Sequence, residues 1–171
     1  MKNIVLIGMP GAGKSTVGVI LAKVLGYRFI DSDLLIQEQE KCLLKDIIER
    51  DGLNGLLRVE EQVNSEINSE ESVIATGGSV IYGPKAMEHL RRIGTVVYIQ
   101  LSYETINDRL DNIRQRGVVF QEGQTLKDLY EERCPLYEKY AHIIVNAEKL
   151  GMEEVMEKIA REVASKIWIH K

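Results

Sequence analysis

The sequence predicts a three-layer α/β sandwich built on a five-stranded parallel sheet, and three observations carry that expectation. Five short runs rich in Val and Ile, at 3–7, 28–30, 72–75, 95–101 and 142–145, lack strict polar alternation. Such runs suit strands covered on both faces, as parallel strands are. The segments between them have helical period, and strand–helix alternation with right-handed crossovers gives this architecture. Third, the 171 residues contain no internal repeat, low-complexity tract or linker, which bounds the chain to one domain with a real core.

The elements follow in order. The first run leads straight into a glycine-rich turn, and 16–25 then reads as a helix. Val17, Ile20, Leu21 and Val24 share one of its faces at spacings of three and four, and Gly26 is a natural stop. Residues 51–55 read as a loop. Further helices are expected at 85–92, 103–113 and 125–132, the last with Thr125 as N-cap, and an amphipathic helix closes the chain at 151–167. Residues 114–124, with Gly117 and Gly123 in a polar stretch, read as a mobile flap.

Composition narrows the function classes. Apolar residues make up 44% and charged residues 28%, as in soluble globular proteins. A net charge of −4 gives no reason to expect a nucleic-acid partner, since phosphate backbones recruit basic surfaces. The N-terminal apolar run is too short for a signal peptide, and no stretch approaches the roughly 20 residues of a membrane span. Cys42 and Cys134 lack the spacing of a zinc site and read as free thiols in a reducing cytoplasm.

The chemistry starts at Gly8-Met9-Pro10-Gly11-Ala12-Gly13-Lys14-Ser15, which matches G-x-x-x-x-G-K-[ST] between a buried strand and a helix. Glycines let successive backbone N–H groups turn inward around an anion, and the following helix adds the positive end of its dipole. Lys14 is expected on the β- and γ-phosphates of ATP and Ser15 on Mg²⁺, with Gly11, Ala12, Gly13 and Thr16 completing the cradle. The segment Asn-Lys-x-Asp that selects guanine is absent. The strand at 95–101 contains no acid for a metal, unlike the usual motor or transporter ATPase, so a small kinase remains.

Asp31 and Asp33 follow the second strand at the carboxyl edge of the sheet, where open α/β folds bind ligands. Asp31 is placed to hold Mg²⁺ through water and Asp33 to accept a hydroxyl proton, while either acid is also placed to cap a helix near Leu34. Gly77 and Gly78 after the third strand allow close approach of a ligand to backbone. Arg109, Arg114, Arg116 and Arg133 are expected near the flap. Arg116 is the candidate to close over the phosphates. Arg133, read as lying just past a helix, is the candidate to grip a carboxylate.

Over nearly its full length the chain resembles the shikimate kinases. The resemblance rests on GMPGAGKSTVG, LAKVLGYRFIDSD, ATGG, TVVYI and ERCPLYEKYA. It implies a P-loop NTPase fold of the nucleoside-monophosphate-kinase type, with a lid at about 114–124 and an acceptor-binding subdomain at about 34–62. It implies transfer of the ATP γ-phosphate to the 3-hydroxyl of shikimate by a cytoplasmic, monomeric enzyme with no membrane or nucleic-acid partner. By position it gives Lys14, Asp33 and Arg116 catalytic roles, Ser15 and Asp31 the metal, and Arg109 a place beside adenine. Asp33, Gly77, Gly78 and Arg133 are implied to hold shikimate.

The sequence departs from the family pattern on the acceptor side. Where the family reads Phe-Arg-x-x-Glu, this chain has Leu56 and Leu57, with Arg58 one residue on. Leu53 replaces an acid, Ser79 a third glycine, and Arg116-Gly117-Val118-Val119 the lid's Arg-Pro-Leu-Leu. Two other readings therefore stay open: phosphorylation of another small hydroxy acid or polyol, and a nucleotide-binding module without phosphotransfer.

Overall fold

A computed structural model describes residues 3–111 and 123–169, with side chains through residue 166. The expected flap, including Arg114 and Arg116, lies outside the described residues apart from Gly123 and Gln124.

Five parallel strands form one sheet: β1 (Asn3–Ile7), β2 (Arg28–Asp31), β3 (Ser72–Ala75), β4 (Gly94–Gln100) and β5 (Ile143–Asn146), in the order β2-β3-β1-β4-β5. Burial follows that order. Central β1 is buried at every residue, whereas edge strand β5 alternates, with Ile143 and Val145 inward and Ile144 exposed. β4 begins at Gly94, one residue before the predicted run, because Gly94 pairs with Asn3. The helices α1 (Lys14–Leu25) and α7 (Met152–Ile169) pack together on one face. On the other lie α4 (Pro84–Ile93) and α6 (Leu126–Tyr140), with α5 (Tyr103–Asp111) beside α6.

β1 sends its connection toward β2, and β4 sends its connection toward β5. The carboxyl ends of the central strands therefore open a crevice between diverging loops. Beside it, α2 (Ser32–Glu40) and α3 (Leu44–Glu66) pair around a small apolar cluster of Ile36, Ile47, Leu56 and Val63.

Four expectations need correction. Val24 is 60% exposed, because the buried arc of α1 runs through Gly18 and Ala22 instead; Gly18 has no side chain, and Phe29 and Leu6 pack against its backbone. Residues 51–55 are not a loop. They are helical except at Gly52, whose φ of 74° and ψ of 177° kink α3 in the middle. The helix capped by Thr125 runs on to Tyr140 through Pro135, eight residues beyond the expected end. Arg133 is therefore inside α6 and buried, not in a segment after it.

Candidate active site

A continuous cavity of about 690 Å³ runs along the carboxyl edge of the sheet, from the loop after β1 to the α2–α3 pair. At one end the phosphate-loop motif makes the turn from β1 into α1. Gly8, Gly11 and Gly13 have positive φ there, so the backbone curls in a way that side chains resist. Lys14 is buried, and its Nζ donates to the carbonyls of Gly8 at 2.8 Å and Met9 at 2.9 Å. These bonds hold the ammonium at the centre of the curl. Burial draws its pKa down to about 8, against the opposing pull of Asp33, Asp31 and Glu60. Gly11, Gly13, Ser15 and Thr16 line the cavity with it, and Ala12 is buried, with its N–H donating to Met9 O.

The two acids after β2 divide their tasks. Asp31 Oδ1 accepts from the Asp33 backbone N–H at 3.0 Å and so caps α2, while its Oδ2 accepts from Ser15 Oγ at 3.1 Å. Capping and proximity to the loop thus coexist on one carboxylate. Asp33 faces the cavity, and its pKa is pushed up, first by burial and then by the Asp31 charge, with Lys14 opposing. A Ser15 hydroxyl beside the Asp31 carboxylate is a hard-oxygen donor set that fits Mg²⁺, an ion held largely by its own waters and by substrate phosphates.

The other end of the cavity draws on β3 and α6. Thr76 Oγ1 donates to Leu6 O at 2.8 Å and ties the β3 turn to β1. A Cβ on Gly77 would meet Asp33 Oδ1 at 2.8 Å and Glu60 Oε1 at 2.9 Å, so two carboxylates press against one bare backbone position. A Cβ on Gly78 would meet an Arg133 Nη at 2.9 Å. Tyr137 Oη donates to Gly78 O at 2.6 Å and stacks on Tyr98, which fixes that turn from below. Arg133 is 7% exposed, lies over the Tyr82 ring at 5.4 Å, and leaves its Nε without a hydrogen-bond partner among the described residues. Arg109 also lines the cavity, with an Nη donating to Gly11 O at 3.1 Å, at the loop end and away from Arg133's turn.

Glu60 is the residue that sequence reasoning missed. It is 3% exposed, accepts from Ser79 Oγ at 2.5 Å through Oε2, and leaves Oε1 unpaired toward the cavity. Burial pushes its pKa up to about 7, with the Ser79 hydrogen bond and the Arg133 and Lys14 charges opposing. The signal lay in helical spacing: Leu53, Leu56 and Glu60 fall on one stripe, and a carboxylate on an apolar stripe asks for a reason. Leu57 does not line the cavity, and neither does Arg58, which is exposed beside Gly55 and Asp51.

Such an edge can hold a nucleotide triphosphate at one end and a hydroxylated anion at the other, with a carboxylate between them. Comparison with known proteins agrees. A family model described as shikimate kinase matches residues 10–164. The shikimate kinase of Sulfurihydrogenibium sp. is 38% identical over 164 residues, covering 95% of this chain and 98% of that protein. The structure of the Acinetobacter baumannii shikimate kinase in complex with shikimate superposes with a TM-score of 0.89 at 33% identity, covering 97% of this chain and 94% of that one. The Aquifex aeolicus shikimate kinase gives 0.82 at 32% identity, covering 96% and 98%. With the parallel sheet, the phosphate loop and the acid–arginine cavity in place, the chain belongs to the shikimate kinase family of ATP-using kinases.

Proposed function

We propose that this chain transfers the γ-phosphate of ATP to the 3-hydroxyl of shikimate. The observation that carries the reading is the single cavity joining the Lys14 loop to Asp33 and Arg133. Lys14 neutralises the β- and γ-phosphates, the backbone of Gly11, Ala12 and Gly13 cradles them, and Thr16 completes the cradle. Arg109 flanks the adenine. Ser15 and Asp31 hold Mg²⁺, which when bound supplies charge neutralisation on the phosphates. Residues 34–62 and Arg133 take the acceptor, Arg133 through its carboxylate, with the Gly77 and Gly78 backbone beneath the ring.

Asp33 takes the proton from the acceptor hydroxyl as that oxygen forms its bond to the γ-phosphorus. The bond from the γ-phosphorus to the bridging oxygen breaks, and ADP departs with that electron pair. A raised Asp33 pKa strengthens the carboxylate as a base. Arg116, in the lid at about 114–124, stabilises the transferring group on closure and helps exclude water. We read the enzyme as a cytoplasmic monomer; unpaired Cys42 and Cys134 suit a reducing compartment.

The apolar acceptor wall at Leu53 and Leu56 favours one alternative, another small hydroxy acid or polyol. A coupled ADP-release assay across a panel of such acceptors separates the two. Shikimate is expected to give the highest kcat/KM. Turnover with a different panel member and none with millimolar shikimate would select the alternative.

A further inference from the structure

The cavity has four lining cations, and three are already engaged. Lys14 bonds the loop carbonyls and Arg109 bonds Gly11 O, both at the nucleotide end. At the acceptor end Arg133 is buried over Tyr82 and shares its field with Glu60. The fourth is Lys45. It lines the cavity between Leu44 and Ile48, and among the described residues it has no hydrogen-bond or ion-pair partner. It is exposed, and a long cationic side chain there can keep its ammonium in solvent while it lines the cavity. It also stands in the first turn of α3, where the helix dipole disfavours a cation, so its charge does nothing for the helix.

Shikimate carries one carboxylate and must enter a pocket whose own acids are Asp33 and Glu60. Arg133 shares with Ser79 and Lys14 the task of offsetting Glu60, before it offers anything to a second anion. Leu57, Arg58 and the apolar side chains on the same wall contribute no charge to the cavity. We propose that Lys45 is a specificity-determining residue that closes on the acceptor's carboxylate from the cavity mouth, opposite the buried Arg133 in exposure and role. This rests on the reading of the acceptor as shikimate. Arg133 fixes the anion in place, while the exposed lysine selects for its charge at entry.

Steady-state kinetics with shikimate and with its uncharged methyl ester test this. Lys45→Met is expected to raise KM for shikimate about 5- to 20-fold, with the effect on KM rather than kcat, and to lower the preference for shikimate over the ester by the same factor. Lys45→Arg should restore most of that preference. Lys23→Met removes the same charge outside the cavity and outside residues 34–62, and should leave the preference unchanged. An unaltered preference in Lys45→Met, or an equal loss with Lys23→Met, overturns the proposal. A parent enzyme inert toward shikimate but active on another acceptor overturns the proposed function, and this inference with it.

Discussion

Asp33 and Glu60 meet at Gly77 with opposite surroundings on their other sides. Asp33 lies near Asp31 and Lys14, whereas Glu60 has one oxygen on Ser79 and the other unpaired. If Asp33 receives the acceptor's proton, Asp33→Asn should lower kcat by about 10²–10⁴-fold, the usual range for losing a positioned base. ATP affinity, measured by titration calorimetry, should change little, because the phosphate loop is untouched. Glu60 makes a separate prediction about stability. Its carboxyl binds a proton more tightly in the folded chain, where its pKa is about 7, than in the unfolded chain, near 4.5. The stabilisation from that proton is full below pH 4.5 and is lost as pH rises to 7. Glu60→Gln should remove this slope, gaining on the order of 3 kcal/mol relative to the parent between pH 4.5 and pH 8. Urea unfolding of both proteins at the two pH values measures it, and equal slopes would contradict the buried, protonated Glu60.

At the scale of the element, α3 supplies one wall of the cavity, and its kink is the critical feature. Gly52 adopts a backbone conformation that only glycine takes readily, and it joins the half carrying Leu44, Lys45 and Ile48 to the half carrying Leu53, Leu56 and Glu60. Gly52→Ala should cost about 1–3 kcal/mol. That corresponds to a Tm lower by roughly 2–10 °C in scanning calorimetry, together with a higher KM for the acceptor. An unchanged Tm would mean that the kink carries no strain. The same helix shows why parts of the fold were hidden in the sequence. Strands and phosphate loop were legible because their signals are local: runs of Val and Ile, and glycines at fixed spacing. Residues 51–55 look like a loop because Asp, Gly and Asn favour turns, whereas packing of α3 on both α2 and α4 accompanies the helix that forms. Likewise Pro135 suggests an end to α6, yet Leu129, Arg133 and Tyr137 are all buried along one continuous helix. Glu60 escaped notice because its setting depends on Ser79 and Gly77, which only the fold brings to it.

For the whole molecule, the order β2-β3-β1-β4-β5 places the two halves of the reaction on one edge. Central β1 delivers the phosphate loop, and its neighbour β3 delivers the Gly77–Gly78 turn. Edge strand β2 delivers Asp31 and Asp33, while α3 and α6 bring Glu60 and Arg133 to the same cavity. Because these groups share one cavity, phosphate should pass to the acceptor and not to water. The most direct test follows the phosphoryl group itself. With γ-labelled ATP, Mg²⁺ and shikimate in a single-turnover experiment, label should appear on shikimate, with the 3-phosphate identified by phosphorus NMR. Hydrolysis without shikimate should be far slower. Label released only as inorganic phosphate, or retained on ATP whether or not shikimate is present, would contradict the account.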